Sequence, residues 1–120
     1  MERLVTLGWL VLAAVHAGPA AVLLRPGVAA ALYGAAGDGI LRLLIVHRGA
    51  LFLAVVAVAL LAAFDPDARR AASLVAAISM IGFLAVYLGM GAPAELRTVA
   101  VVDAAALLPL AWVSYRAWLA

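Results

Sequence analysis

One run of sequence limits this chain more than any other. From Ile40 to Phe64 the residues are apolar almost throughout, 25 in a row, enough to cross a bilayer as a slightly tilted helix. Yet Arg42, His47 and Arg48 lie inside it. A guanidinium at membrane depth costs at least ~2.5–3.5 kcal/mol on insertion scales, so it turns toward protein, water or a partner. Whatever this chain folds into has to give Arg48 such a neighbour.

The rest of the chain repeats the pattern. Apolar runs cover about residues 4–24, 40–64, 71–91 and 98–119, separated by short polar segments. Overall 70% of the 120 residues are hydrophobic and 12% are charged, against roughly 45–50% and about 25% in soluble domains. The expected fold is all-α, a single integral-membrane domain built as an antiparallel four-helix bundle, because short turns make consecutive helices antiparallel neighbours. The alternative for the first run is a signal peptide. Its length, and His16 and Pro19 within it, favour a span.

The connections carry their own signals. Arg25-Pro26-Gly27 closes the first run, and Val28 to Tyr33 reads as a short interfacial helix with Tyr33 at headgroup level. Asp38 is placed to cap the second helix. Asp65-Pro66-Asp67 stops that helix, with Asp67 in position to cap the third. Pro109 is a candidate kink in the fourth. Trp112, Tyr115 and Trp118 read as an aromatic belt. Ala13/Ala17 and Ala85/Gly89 fit the small-xxx-small spacing of close helix contacts.

All eight basic residues are Arg. Four helices put both termini on one side, where Arg3, Arg69, Arg70 and Arg116 also lie; Arg25, Arg42 and Arg97 lie on the other. The positive-inside rule then favours cytoplasmic termini in a bacterial inner membrane. No basic cluster in the sequence supports nucleic-acid binding. The absence of cysteine excludes disulfides and thiolate chemistry.

Counting depth at ~1.5 Å per residue brings the polar groups together. His16 falls roughly 12 Å below the end of the first span. His47 and Arg48 fall roughly 10–12 Å below the start of the second, Tyr87 roughly 6 Å below the end of the third, and Asp103 roughly 8 Å below the start of the fourth. Asp103 is the natural counter-ion for Arg48, since a lone carboxylate in hydrocarbon takes up a proton. Met80, Phe83 and Tyr87, with Trp9 on the His16 face, would form an apolar, aromatic wall.

Three site chemistries follow. His16, Arg48, Tyr87 and Asp103 can bind a lipophilic molecule with a polar head, a quinone, sterol-like or isoprenoid compound. His47 would then be the catalytic acid or base, Arg48 would hold an oxygen of the head group, and Asp103 would orient Arg48. Alternatively, His16 and His47 at one depth could ligate a b-type haem. The two histidines with Asp103 form a two-histidine, one-carboxylate metal set, which Arg48 opposes electrostatically. Against all three stands a layer that only holds helices together in a non-enzymatic accessory subunit. Transport would require a homo-oligomer to enclose a path. The cofactor stays unknown on this reading, and the lipid bilayer is the one partner the composition demands.

The segments His47-Arg48-Gly49-Ala50-Leu51-Phe52, Ala63-Phe64 and Arg97-Thr98-Val99-Ala100-Val101-Val102-Asp103 resemble a group of small bacterial four-helix membrane proteins. The resemblance covers nearly the whole chain, and the His-Arg pair and the late Asp are its most specific parts. It implies the four-helix membrane fold. Some members of the group are catalogued as phosphopantetheine adenylyltransferase. That activity uses two histidines around a glycine, whereas His16-Ala17-Gly18-Pro19 has one histidine and lies in an apolar span. In general shape the chain is also similar to DoxX-like proteins.

Overall fold

The computed structural model describes residues 1–25, 27–28 and 39–120. The described residues form four long helices: α1 (Glu2–Leu24), α2 (Gly39–Phe64), α3 (Arg69–Gly89) and α4 (Arg97–Trp118). Among the described residues there is no strand. Each expected span coincides with a helix to within two residues at either end. All four helices are long and apolar enough to cross a membrane, so by length and composition this is a multi-pass membrane protein. The expected interfacial helix over 28–33 and the Asp38 cap lie outside the described residues.

The helices pack in a ring in chain order, α1 against α2, α2 against α3, α3 against α4, and α4 back against α1. The centre is filled by Val5, Trp9, Leu12 and Ala13 of α1, Ala59, Ala62 and Ala63 of α2, Ala72, Ala76 and Met80 of α3, and Ala106, Leu110 and Val113 of α4. Large side chains from α1 and α4 thus meet alanines from α2 and α3, and the alternation fills the space between the four axes. Leucines and isoleucines such as Leu43, Leu51, Leu60, Ile78 and Leu108 point outward. In a membrane that surface meets lipid and has no need of burial in protein.

Two glycines set the closest approaches. A Cβ at Gly49 would lie 2.7 Å from the Leu23 backbone nitrogen, and one at Gly8 would lie 2.6 Å from Val113 Cγ1. The α1–α2 and α1–α4 seams therefore close on glycine. The small-xxx-small expectation is corrected here: Ala17, Ala85 and Gly89 are all exposed, and of those four positions Ala13 alone is buried.

The turn between α2 and α3 differs in one detail from expectation. A single 3-10 turn, Pro66–Ala68, precedes α3, and the Asp65 carboxylate accepts the Asp67 backbone N–H at 3.0 Å. Asp65 is the capping residue; α3 itself starts at Arg69 without a side-chain cap. Pro19 and Pro109 both lie inside continuous helices. Each removes one backbone hydrogen bond, which a membrane helix tolerates when its neighbours compensate.

The end of the bundle that carries the termini is tied by side-chain bonds. Thr6 Oγ1 donates to the Ala63 carbonyl at 3.1 Å. Arg69 Nε donates to the Ala62 carbonyl at 2.9 Å, and its Nη2 forms an ion pair with Glu2. Trp118 Nε1 donates to Ser73 Oγ at 2.9 Å. These contacts join α1, α2, α3 and α4 at one level and leave the polar layer nearer the other end.

Candidate functional site

His16 is buried in the core at 1% exposure. Its Nδ1 lies 2.8 Å from the Leu12 carbonyl one turn back. A carbonyl oxygen only accepts, so this nitrogen carries a proton. The other ring nitrogen, Nε2, is buried and has no hydrogen-bond partner. The ring faces Phe52 of α2, with centroids 5.8 Å apart and planes tilted by 36°.

Arg48 lies one turn before Phe52 on the same face of α2. Its guanidinium carbon sits 5.0 Å from the Phe52 ring centroid and 5.3 Å from that of Phe83 on α3. The faces of both rings are electron-rich, so they attract the cation. Phe83 in turn stacks on Tyr87 at 6.0 Å. The result is one connected set of rings and a cation, His16–Phe52–Arg48–Phe83–Tyr87, running from α1 across α2 to α3.

Asp103 completes the layer from α4 and is 8% exposed. A direct ion pair between Arg48 and Asp103 is not among the contacts of the described residues, where the ion pair is Glu2–Arg69. The expected salt bridge is therefore not formed. Arg48 has taken the aromatic rings of α2 and α3 as close neighbours, and Asp103 remains in the core behind them.

His47 follows a different direction. It sits on the exposed face of α2, whereas Arg48 next to it is half-buried. Successive helical residues point about 100° apart, so equal depth does not bring His47 and His16 to one cavity. Among the described residues no three of His, Cys, Asp or Glu are gathered for a metal ion, so the two-histidine, one-carboxylate set is not assembled.

Beside this layer the bundle opens. A cavity of about 550 Å³ lies between α2 and α3, lined by Arg48, Leu51, Phe52 and Val55 on one side and by Val75, Ile78, Ser79, Gly82, Phe83 and Val86 on the other. Its size is that of an ordinary small-molecule site, and its walls are apolar with a few polar groups, as such sites are. Gly82 has open space where a Cβ would be, which keeps the cleft wide at the level of Arg48. Phe52 and Ser79 escaped the sequence reading. Phe52 sits at i+4 from Arg48, a spacing that would have revealed it.

Trp9 and Met80, expected along the site wall, belong instead to the central packing, both fully buried. Tyr87 is half-buried at the far end of the ring series. The site thus has a cation held between aromatic rings, a long apolar cleft beside it, and a buried imidazole and carboxylate behind. Compared with protein-family profiles, curated proteins and solved structures, the chain finds no match.

Proposed function

We propose that this protein is a small membrane protein that binds a lipophilic molecule with an electronegative head group. The tail lies in the α2–α3 cleft and the head lies against Arg48. The observation that carries this reading is the placement of the Arg48 guanidinium at the wall of an apolar cavity of about 550 Å³. Phe52 and Phe83 hold the guanidinium at the cleft wall by cation–π attraction, and a guanidinium there attracts a carbonyl, phenolate or carboxylate oxygen. A quinone, an isoprenoid or a sterol-like compound has the required shape.

Acid–base chemistry on such a molecule falls to His16 rather than His47. His16 has an unpartnered ring nitrogen inside the bundle, whereas His47 faces outward. The Phe52 ring separates His16 from the cleft, so any proton transfer requires that ring to move. Arg69, Arg70 and Arg116 gather at the end that holds the termini. That distribution supports cytoplasmic termini in a bacterial inner membrane.

The test is chemical. Protein purified in mild detergent is extracted with organic solvent and the extract examined by mass spectrometry. The expected result is a lipophilic species retained by the wild type and lost from Arg48→Gln, with both proteins equally helical. A wild type that retains no such species, and binds none of a quinone, sterol and isoprenoid panel, would overturn the reading.

A further inference from the structure

At the opposite end of the molecule from Arg48, a second cavity of about 360 Å³ is lined by Pro66, Asp67, Arg69, Arg70, Arg116 and Ala117. We infer that it is a binding site for the phosphodiester head group of an anionic membrane lipid. This site is separate from the α2–α3 cleft and does not depend on what the cleft binds.

The arginines are positioned before any ligand arrives. Arg70 Nε donates to the Ala117 carbonyl at 3.1 Å, and its guanidinium lies 5.3 Å over the Trp118 ring. Arg116 lies 5.7 Å over the Trp112 ring, and its Nε is buried with no hydrogen-bond partner. A buried guanidinium N–H without an acceptor is costly, and an oxygen placed in this cavity would satisfy it. Arg69 forms the inner wall, held by the Ala62 carbonyl and Glu2.

Charge selects among anions. Glu2 matches Arg69, and Asp67 on the cavity wall offsets one of the two remaining arginines. One net positive charge is left, which suits a singly charged phosphodiester better than a doubly charged phosphate monoester. Position selects the source. The cavity lies at the ends of apolar helices, beside Trp112 and Trp118, where a bilayer places its head groups. Basic pockets between membrane helices at this level hold anionic lipid heads.

The experiment uses the full chain in neutral detergent. Native mass spectrometry counts bound phosphatidylglycerol and phosphatidylcholine of matched acyl chains, and inorganic phosphate is titrated as a competitor. The wild type should prefer phosphatidylglycerol by about ten-fold or more, and Arg70→Gln and Arg116→Gln should each reduce that preference by about five-fold. Arg97→Gln, at the other end of the bundle, should leave it unchanged. Circular dichroism checks that each variant is folded. Equal retention of the two lipids by the wild type would overturn the inference, as would an equal effect of Arg97→Gln. Displacement of the lipid by inorganic phosphate at matched concentration would overturn the lipid as source.

Discussion

The Arg48 guanidinium lies over the Phe52 ring at 5.0 Å, one helical turn away on the same face of α2. This contact answers the problem that an arginine in a 25-residue apolar run poses. The rings of Phe52 and Phe83 both lie against the charge. Four predictions follow from the site and from the seams that hold it.

Replacing Phe83 by Leu keeps the volume of the cleft wall close to native and removes one of the two rings on Arg48. A cation–π contact in a desolvated setting is worth about 0.5–2 kcal/mol. Ligand retention should weaken by about two- to thirty-fold, while Tm in detergent falls only slightly. Quantitative extraction of the Phe83→Leu protein measures this. Retention equal to the wild type would show that Phe83 does not orient the guanidinium.

Arg48 and Asp103 should couple weakly. Partners of a buried ion pair lose about 3–5 kcal/mol when one is removed, but these two act on each other without direct contact. A double-mutant cycle with Arg48→Leu and Asp103→Leu, followed by thermal unfolding in detergent, should give a coupling below about 1 kcal/mol. A coupling of several kcal/mol would place the two in contact.

Gly49→Ala should be far more damaging than Gly82→Ala. A Cβ at Gly49 meets the Leu23 backbone at 2.7 Å, whereas one at Gly82 meets nothing within 4 Å. Forcing α1 and α2 apart costs about 1–3 kcal/mol. Alanine at a helical position with free space instead stabilises by about 0.5–1 kcal/mol. Thermal unfolding of the two variants side by side should show shifts of opposite sign.

Arg69→Ala should destabilise the bundle by about 2 kcal/mol, since it removes a charge-assisted bond from a nearly buried side chain to the Ala62 carbonyl as well as the ion pair. Glu2→Gln should cost much less than Arg69→Ala, because the Glu2 side chain is 64% exposed and such pairs contribute little. The Glu2 effect should also shrink in high salt, and that of Arg69→Ala should largely persist. Denaturation at two ionic strengths separates them.

How much of this was legible before folding depends on what a linear count can carry. Hydropathy and turn residues define segments by length, so the four helices were readable to within two residues at either end. Depth follows from residue count, so His16, Arg48, Tyr87 and Asp103 could be placed in one layer. Rotation does not follow from depth. His47 shares the depth of His16 but faces outward, and only the azimuth that packing gives α2 decides that. The Gly49–Leu23 contact was equally hidden, because it depends on where another helix's backbone passes. In a chain this rich in alanine, small-residue spacings recur by composition alone, and they pointed to Ala17 and Ala85, which are exposed. The Arg70–Arg116 cavity was visible only as a side count for topology. That α3 starts where α4 ends was in the sequence, but the side chains' convergence was not.

The notch at Gly49 also governs how the protein can move. Sliding α2 by one turn, about 5.4 Å, would bring the side chain of Ile45 or Leu53 onto the Leu23 backbone, where even a methyl group has no room. The first hairpin therefore cannot ratchet as some helix pairs do; it acts as a fixed post. Any widening of the cleft between α2 and α3 therefore falls to α3 and α4, while the α1–α2 pair stays fixed at Gly49.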